Sequence, residues 1–169
     1  VRAYNFFAKK HIDIYADSLT EEAVRRDFYY AFTDTKYPGI PELNLNTIST
    51  EPFVVGDIPV IPISVWHMKM PVLGFRFGKF TYITDANRID EDEREKIKGS
   101  KVLVLNALRK QKHISHFTLE EAIQVVQELK IPTGYFTHMS HQIGLHASIE
   151  AELPENIHLS YDGLVLDFK

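Results

Sequence analysis

A chain of 169 residues, with 44% hydrophobic and 25% charged residues, is long enough for one domain with a core and hardly long enough for two. It has no Cys, which excludes disulfide frameworks, thiolate zinc sites and Cys nucleophiles together. Its net charge of −4 argues against a general nucleic-acid binder, whose affinity comes from displacing counterions from phosphates. A phosphate substrate stays open, because a bound metal's local charge outweighs a mildly acidic surface. The longest apolar runs, such as Val60 to Trp66, are too short to cross a bilayer. The first residues, Val1-Arg-Ala-Tyr4, lack a signal peptide's layout. These features fit a cytoplasmic protein with no membrane partner. The chain does not start with Met, and reads as beginning inside a longer gene product.

Taken in order, His11 to Tyr15 alternates as a short strand, and Leu19 to Phe32 reads as an amphipathic helix capped by Ser18 or Thr20. Tyr37-Pro-Gly-Ile-Pro41 breaks it. From Asn44 to Asp85 the pattern is that of meandering antiparallel strands: Leu45 to Ile48, Phe53 to Val55, Val60 to Val65, Gly74 to Phe77 and Phe80 to Thr84. Phe77-Gly-Lys-Phe80 predicts a tight hairpin with Gly78 in the left-handed region. Beyond residue 85 come a polar helix over Asp90 to Lys98 and a buried strand over Val102 to Leu105. A capping box, Thr118-Leu-Glu-Glu121, then opens a helix to about Leu129. Thr133 to Thr137 predicts a strand, Ala147 to Glu152 a helix and Leu164 to Phe168 a closing strand. Meandering strands followed by strand–helix–strand units predict a layered α/β or α+β architecture, with no linker separating domains.

Three predicted strands end on a residue able to bind metal. His67 follows the apolar run to Trp66, Asp85 closes Phe80 to Thr84, and His138 follows Thr133 to Thr137. Taken alone, each has an ordinary structural explanation: a hydrogen-bonded His beside the single Trp, an Asx-turn Asp, a polar loop. Ligands at successive strand ends converge on one sheet edge, so the ordered set carries more than its members. His141 completes an H-x-x-H spacing with His138, as a weaker ligand or a partner that orients one. Six of the eight His (His113, His116, His138, His141, His146, His158) lie in the last third, which in a Cys-free chain suggests imidazole and carboxylate ligation. Between the second and third strand ends, Asn106-Ala-Leu-Arg109-Lys-Gln-Lys112 leads through His113 and His116 to the helix capped by Thr118. Free N–H groups there, with Arg109, Lys110, Lys112 and His116 nearby, would favour an anion; a solvated basic loop is the plain alternative.

The segments Trp66-His67, Gly74-Phe75, Tyr82-Ile-Thr-Asp85, Asn106-Ala-Leu-Arg109, His116-Phe-Thr-Leu-Glu-Glu-Ala122 and Thr137-His138-Met-Ser-His141-Gln142 together resemble metallo-β-lactamase-fold phosphodiesterases. The likeness is greatest to the phosphoribosyl cyclic phosphodiesterases of phosphonate breakdown. It runs from about residue 50 to the end, with Glu51-Pro-Phe53, Leu153-Pro-Glu155 and Tyr161-Asp-Gly163 also matching. The resemblance implies an αββα sandwich of which residues 1–169 are the C-terminal portion of a single domain. It implies two divalent metal ions, Zn²⁺ or Mn²⁺. His67 would bind one, His138 the other, and Asp85 both. His116 would contact the scissile phosphate or protonate the leaving oxygen, with Asn106, Arg109 and His141 supporting ligands or substrate. A hydroxide bridging the two ions would attack phosphorus in a small-molecule phosphodiester, cyclic or ribose-linked.

One departure weighs against this. The family's principal metal motif, H-x-H-x-D-H, does not occur in the 169 residues, and in the family it lies upstream of where this chain starts. The chain alone is therefore expected to bind metal weakly, to lack useful activity and to leave an apolar sheet face uncovered. The alternatives are a transfer-RNA 3′ processing nuclease of the same fold, a non-catalytic module with an incomplete metal site, and a small-molecule binding domain with scattered His and no metal. Nucleic acid is a disfavoured partner that stays open, as does a homodimer.

Overall fold

The helix after the first strand begins one residue earlier than its sequence suggests, because Asp17 caps it: Asp17 Oδ1 accepts the Thr20 N–H at 2.8 Å. A carboxylate there satisfies an orphan donor and complements the positive end of the helix, so neither Ser18 nor Thr20 is the cap. The computed structural model describes residues 1–33 and 39–167, so Tyr37 and Pro38 of the expected chain break lie outside the described residues. The chain forms two compact units, Val1–Glu51 and Pro52–Lys169.

The first unit contains α1 (Arg2–Ala8), β1 (Ile12–Ala16), α2 (Ser18–Asp27), a 3-10 turn (Tyr29–Ala31) and β2 (Leu43–Thr47). The predicted helix to Phe32 stops at Asp27, where aromatic residues with poorer helix propensity follow. β2, expected in the antiparallel meander, instead pairs with β1 in parallel, Ile14 opposite Leu45. Such a pair needs a crossover, and the segment containing α2 provides it.

The second unit is built on one sheet whose strand order follows the chain: β3 (Phe53–Val55), β4 (Ile58–His67), β5 (Met70–Phe77), β6 (Phe80–Ile83), β7 (Val102–Asn106), β8 (Thr133–Thr137) and β9 (Ile157–Leu159). β3 to β6 are antiparallel, and β6 to β9 are parallel. Gly78, at φ 57, allows the two-residue turn in which Phe77 pairs with Phe80. Three helices, α3 (Glu91–Ile97), α4 (Leu119–Glu128) and α5 (His146–Glu150), occupy the connections of the parallel half.

Period-2 alternation sends Ile63, Val65, Ile83, Leu103, Leu105 and Phe136 into a single buried cluster with Ile97 of α3, Val125 and Val126 of α4 and Ile149 of α5. The capping box opens α4 as expected: Glu121 N–H donates to Thr118 Oγ1 at 3.2 Å, and Thr118 N–H donates to Glu121 Oε2 at 2.9 Å. The closing strand is misplaced in the sequence reading. No strand forms over the described residues 164–167, and Phe168 lies outside the described residues. Ile157–Leu159 closes the sheet instead, parallel to β8. At three residues, with burial alternating about His158, it is too short for periodicity to reveal.

Strand direction positions the chemistry. β4 is antiparallel to β5, which is antiparallel to β6, so β4 runs with β6, β7 and β8. The C-terminal ends of those four strands therefore share one sheet edge, where His67, Asp85, Asn106 and His138 lie.

Candidate metal centre

His67 is the last residue of β4, Asp85 lies two residues past β6, and His138 directly follows β8. Asp85 and His138 take φ values of 55° and 58°, the left-handed region that non-glycine residues seldom adopt. Met68, next to His67, does so as well, at 60°. Backbone strain of this kind, about 1–3 kcal/mol per residue, gathers where a site must aim a side chain.

The side chains meet at Asp85. Its Oδ1 lies 3.2 Å from His116 Nε2 and 3.3 Å from His138 Nε2. The His116 and His138 rings stack, with centroids 4.8 Å apart and planes 11° from parallel. The His67 ring stands edge-on to His116 at 4.8 Å. One donor atom each from His67, Asp85 and His116 falls within 4.8 Å of the others. Sequence reasoning expected Asp85 to use both oxygens; here Oδ1 faces both His residues, and Oδ2 accepts from Thr84 Oγ1 at 3.3 Å. It assigned His116 to the scissile phosphate, as a contact or a proton donor; in the structure His116 Nε2 lies at the same Asp85 oxygen as His138 Nε2. His116 is buried, and Asp85 and His138 are more open. Burial lowers the His116 pKa from its ordinary value; the contact with Asp85 opposes that, and neighbouring His138 and His67 reinforce it.

A second set of contacts holds this cluster. His116 Nδ1 lies 2.9 Å from Ser115 Oγ and 3.1 Å from His113 Nδ1. Asn106, buried at the end of β7, bonds both the N–H and the carbonyl of Ala86, at 2.8 and 2.9 Å. Asn87 ties two loops together: its Oδ1 accepts Met68 N–H at 2.8 Å, and its Nδ2 donates to the Ile114 carbonyl at 3.1 Å. Sequence reasoning found Asn106 but gave no role to Asn87, His113 or Ser115. The hydrogen bonds that Asn87 makes join loops far apart in the chain, and no local pattern signals them.

Among the described residues, Arg109 and His141 make no hydrogen bond or ion pair with this cluster's side chains. The Arg109 guanidinium donates to the Gln111 and Lys112 carbonyls at 3.3 Å and to the Gln142 side chain. His141 is exposed at the start of a 3-10 turn (His141–Ile143). Most groups expected to hold an anion at the start of α4 are taken within the chain. Leu119 N–H donates to the Arg109 carbonyl, the capping box takes the N–H groups of Thr118 and Glu121, and Lys110 pairs with Glu152.

A beta-lactamase superfamily domain matches residues 1–139. A curated relative, an octanoyltransferase of Porphyromonas gingivalis, is 34% identical over 157 residues, covering 92% of this chain and 32% of that protein. The crystal structure of a diphosphatase from the PhnP family is 30% identical with a TM-score of 0.86, covering 95% of this chain and 60% of the other. Zn²⁺-bound PqqB from Methylobacterium extorquens shares the fold at a TM-score of 0.66 and 18% identity, covering 94% of this chain and 66% of the other. The chain thus spans about a third of the curated relative and three fifths of the diphosphatase. Sheet topology and family match agree: the chain belongs to the beta-lactamase superfamily and carries the metallo-β-lactamase fold.

Proposed function

We propose that this chain supplies part of the centre of a metal-dependent hydrolase acting on small-molecule phosphodiesters, with His67, Asp85, His116 and His138 as the residues that hold divalent metal. The observation carrying this is the spacing about Asp85 Oδ1, 3.2 and 3.3 Å from two imidazole nitrogens. Ligands about 2.0–2.2 Å from a tetrahedral zinc stand about 3.3–3.6 Å from one another, close to these two spacings. Imidazole and carboxylate donors suit Zn²⁺ or Mn²⁺. When bound, two such ions would activate water and neutralise charge on the phosphate. The chain's own residues orient these donors: Asn106 and Asn87 hold the loops around them, and Ser115 and His113 meet His116 at Nδ1, which leaves its Nε2 facing Asp85. On this reading residues 1–169 contribute the C-terminal portion of one domain, and an H-x-H-x-D-H segment outside them completes the centre.

Support comes from the 30% identity to the diphosphatase. The P. gingivalis name favours a second reading, acyl-ester chemistry at the same donors, though it belongs to a protein three times the matched length. Protein expressed from the whole natural gene, with Zn²⁺ or Mn²⁺ supplied, separates them. Cleavage of bis(p-nitrophenyl) phosphate and not of p-nitrophenyl octanoate supports the first reading. The reverse selectivity supports the second.

A further inference from the structure

The β4–β5 hairpin turns on Met68 and Lys69, with His67 paired to Met70. Of the two turn residues, only Met68 has positive φ. A two-residue turn of that kind prefers Gly at its first position, since a side chain there strains the backbone. Met68 N–H is held in place by Asn87. The strained residue is also apolar and exposed, 49% accessible, and so are Met70 at 54% and Ile114 at 73%. These residues are not scattered. With Pro71 they line an open cleft of about 580 Å³. Two further lining residues belong to the donor cluster: His67, and Ser115, which bonds His116 Nδ1. Lys69 places an ammonium in the same lining.

Exposed apolar side chains grouped about a concavity mark a binding surface rather than ordinary exposure. Methionine adapts its unbranched, polarisable chain to ligands of varied shape. A residue kept in a strained conformation where Gly would fit suggests that its side chain has a use.

We propose that this cleft receives an apolar substituent of the substrate, of phenyl or short alkyl size, while the phosphoryl group meets the donor cluster. The inference rests on the phosphoester reading above and deepens it: the preferred substrate carries an apolar group beside its phosphate. Met68 and Ile114 form the walls, and Lys69 adds attraction for the anion.

Calorimetric binding of phenylphosphonate and methylphosphonate, to whole-gene protein with Zn²⁺ supplied, tests this without turnover. Phenylphosphonate should bind about tenfold tighter or more, the range one apolar group yields in a matching pocket. Met68→Gly relieves the turn, so its melting temperature should hold or rise while the preference shrinks to about twofold. Ile114→Ser, on the opposite wall, should narrow it likewise. Equal affinities in the unaltered protein, or a preference surviving both substitutions, would overturn the cleft proposal and leave the phosphoester reading standing. If neither phosphonate binds, both fall.

Discussion

Asn106 grips the peptide unit of Ala86 at both of its polar atoms, accepting the N–H at 2.8 Å and donating to the carbonyl at 2.9 Å. Asp85, just before it, is held at φ 55°. The same Ala86 carbonyl accepts Phe117 N–H at 2.8 Å, next to His116. One buried amide from β7 thereby couples the end of β6 to the loop carrying His116. Asn106→Ala leaves the Ala86 N–H without this acceptor in a buried setting, and should cost about 1–3 kcal/mol of stability, measured by denaturant unfolding. Zinc affinity should fall about 10- to 100-fold, as it does when residues that orient ligands are lost.

Glu150 gives a pH prediction. Burial raises its pKa, but the Leu159 N–H, the His158 contact at 3.0 Å and the nearby charges outweigh that, leaving it below the ordinary carboxylate value. A lowered folded-state pKa stabilises fully above the unfolded value and is lost as pH falls through the folded one. Stability should therefore decline from about pH 5 downward, and Glu150→Gln should flatten that limb. Denaturation midpoints of both proteins at stepped pH would show it. Parallel curves would contradict the assignment.

Gly74 tests the packing of β5 on β6. A Cβ there would lie 2.6 Å from Ile83 Cγ1 and 3.0 Å from the Tyr82 carbonyl. Gly74→Ala should lose about 1–3 kcal/mol, as overpacked cores do. A melting temperature equal to the unaltered protein's would mean that the sheet adjusts freely.

The helix of Thr118-Leu-Glu-Glu121 and the strand Thr133–Thr137 were legible because capping and alternation are local signals. His67, Asp85 and His138 stood out in the sequence because each follows a predicted strand, whereas the common direction of those strands comes only from their pairing. β9 was missed since three residues hold no usable period. The parallel partner of β1 was missed because pairing between distant segments leaves no mark in either one. The approach of His116 to Asp85 depends on a loop folding back, held by contacts such as Asn87 to Ile114. Spacing along the chain does not encode that.

Asp85 is the shared donor of the proposed centre. The most direct measurement is the metal content and bis(p-nitrophenyl) phosphate hydrolysis of whole-gene protein, compared with its Asp85→Ala variant and with His141→Ala as a folded control. The prediction is that Asp85→Ala loses bound zinc and falls to background hydrolysis, while His141→Ala keeps its metal. Undiminished metal and turnover in Asp85→Ala would contradict it.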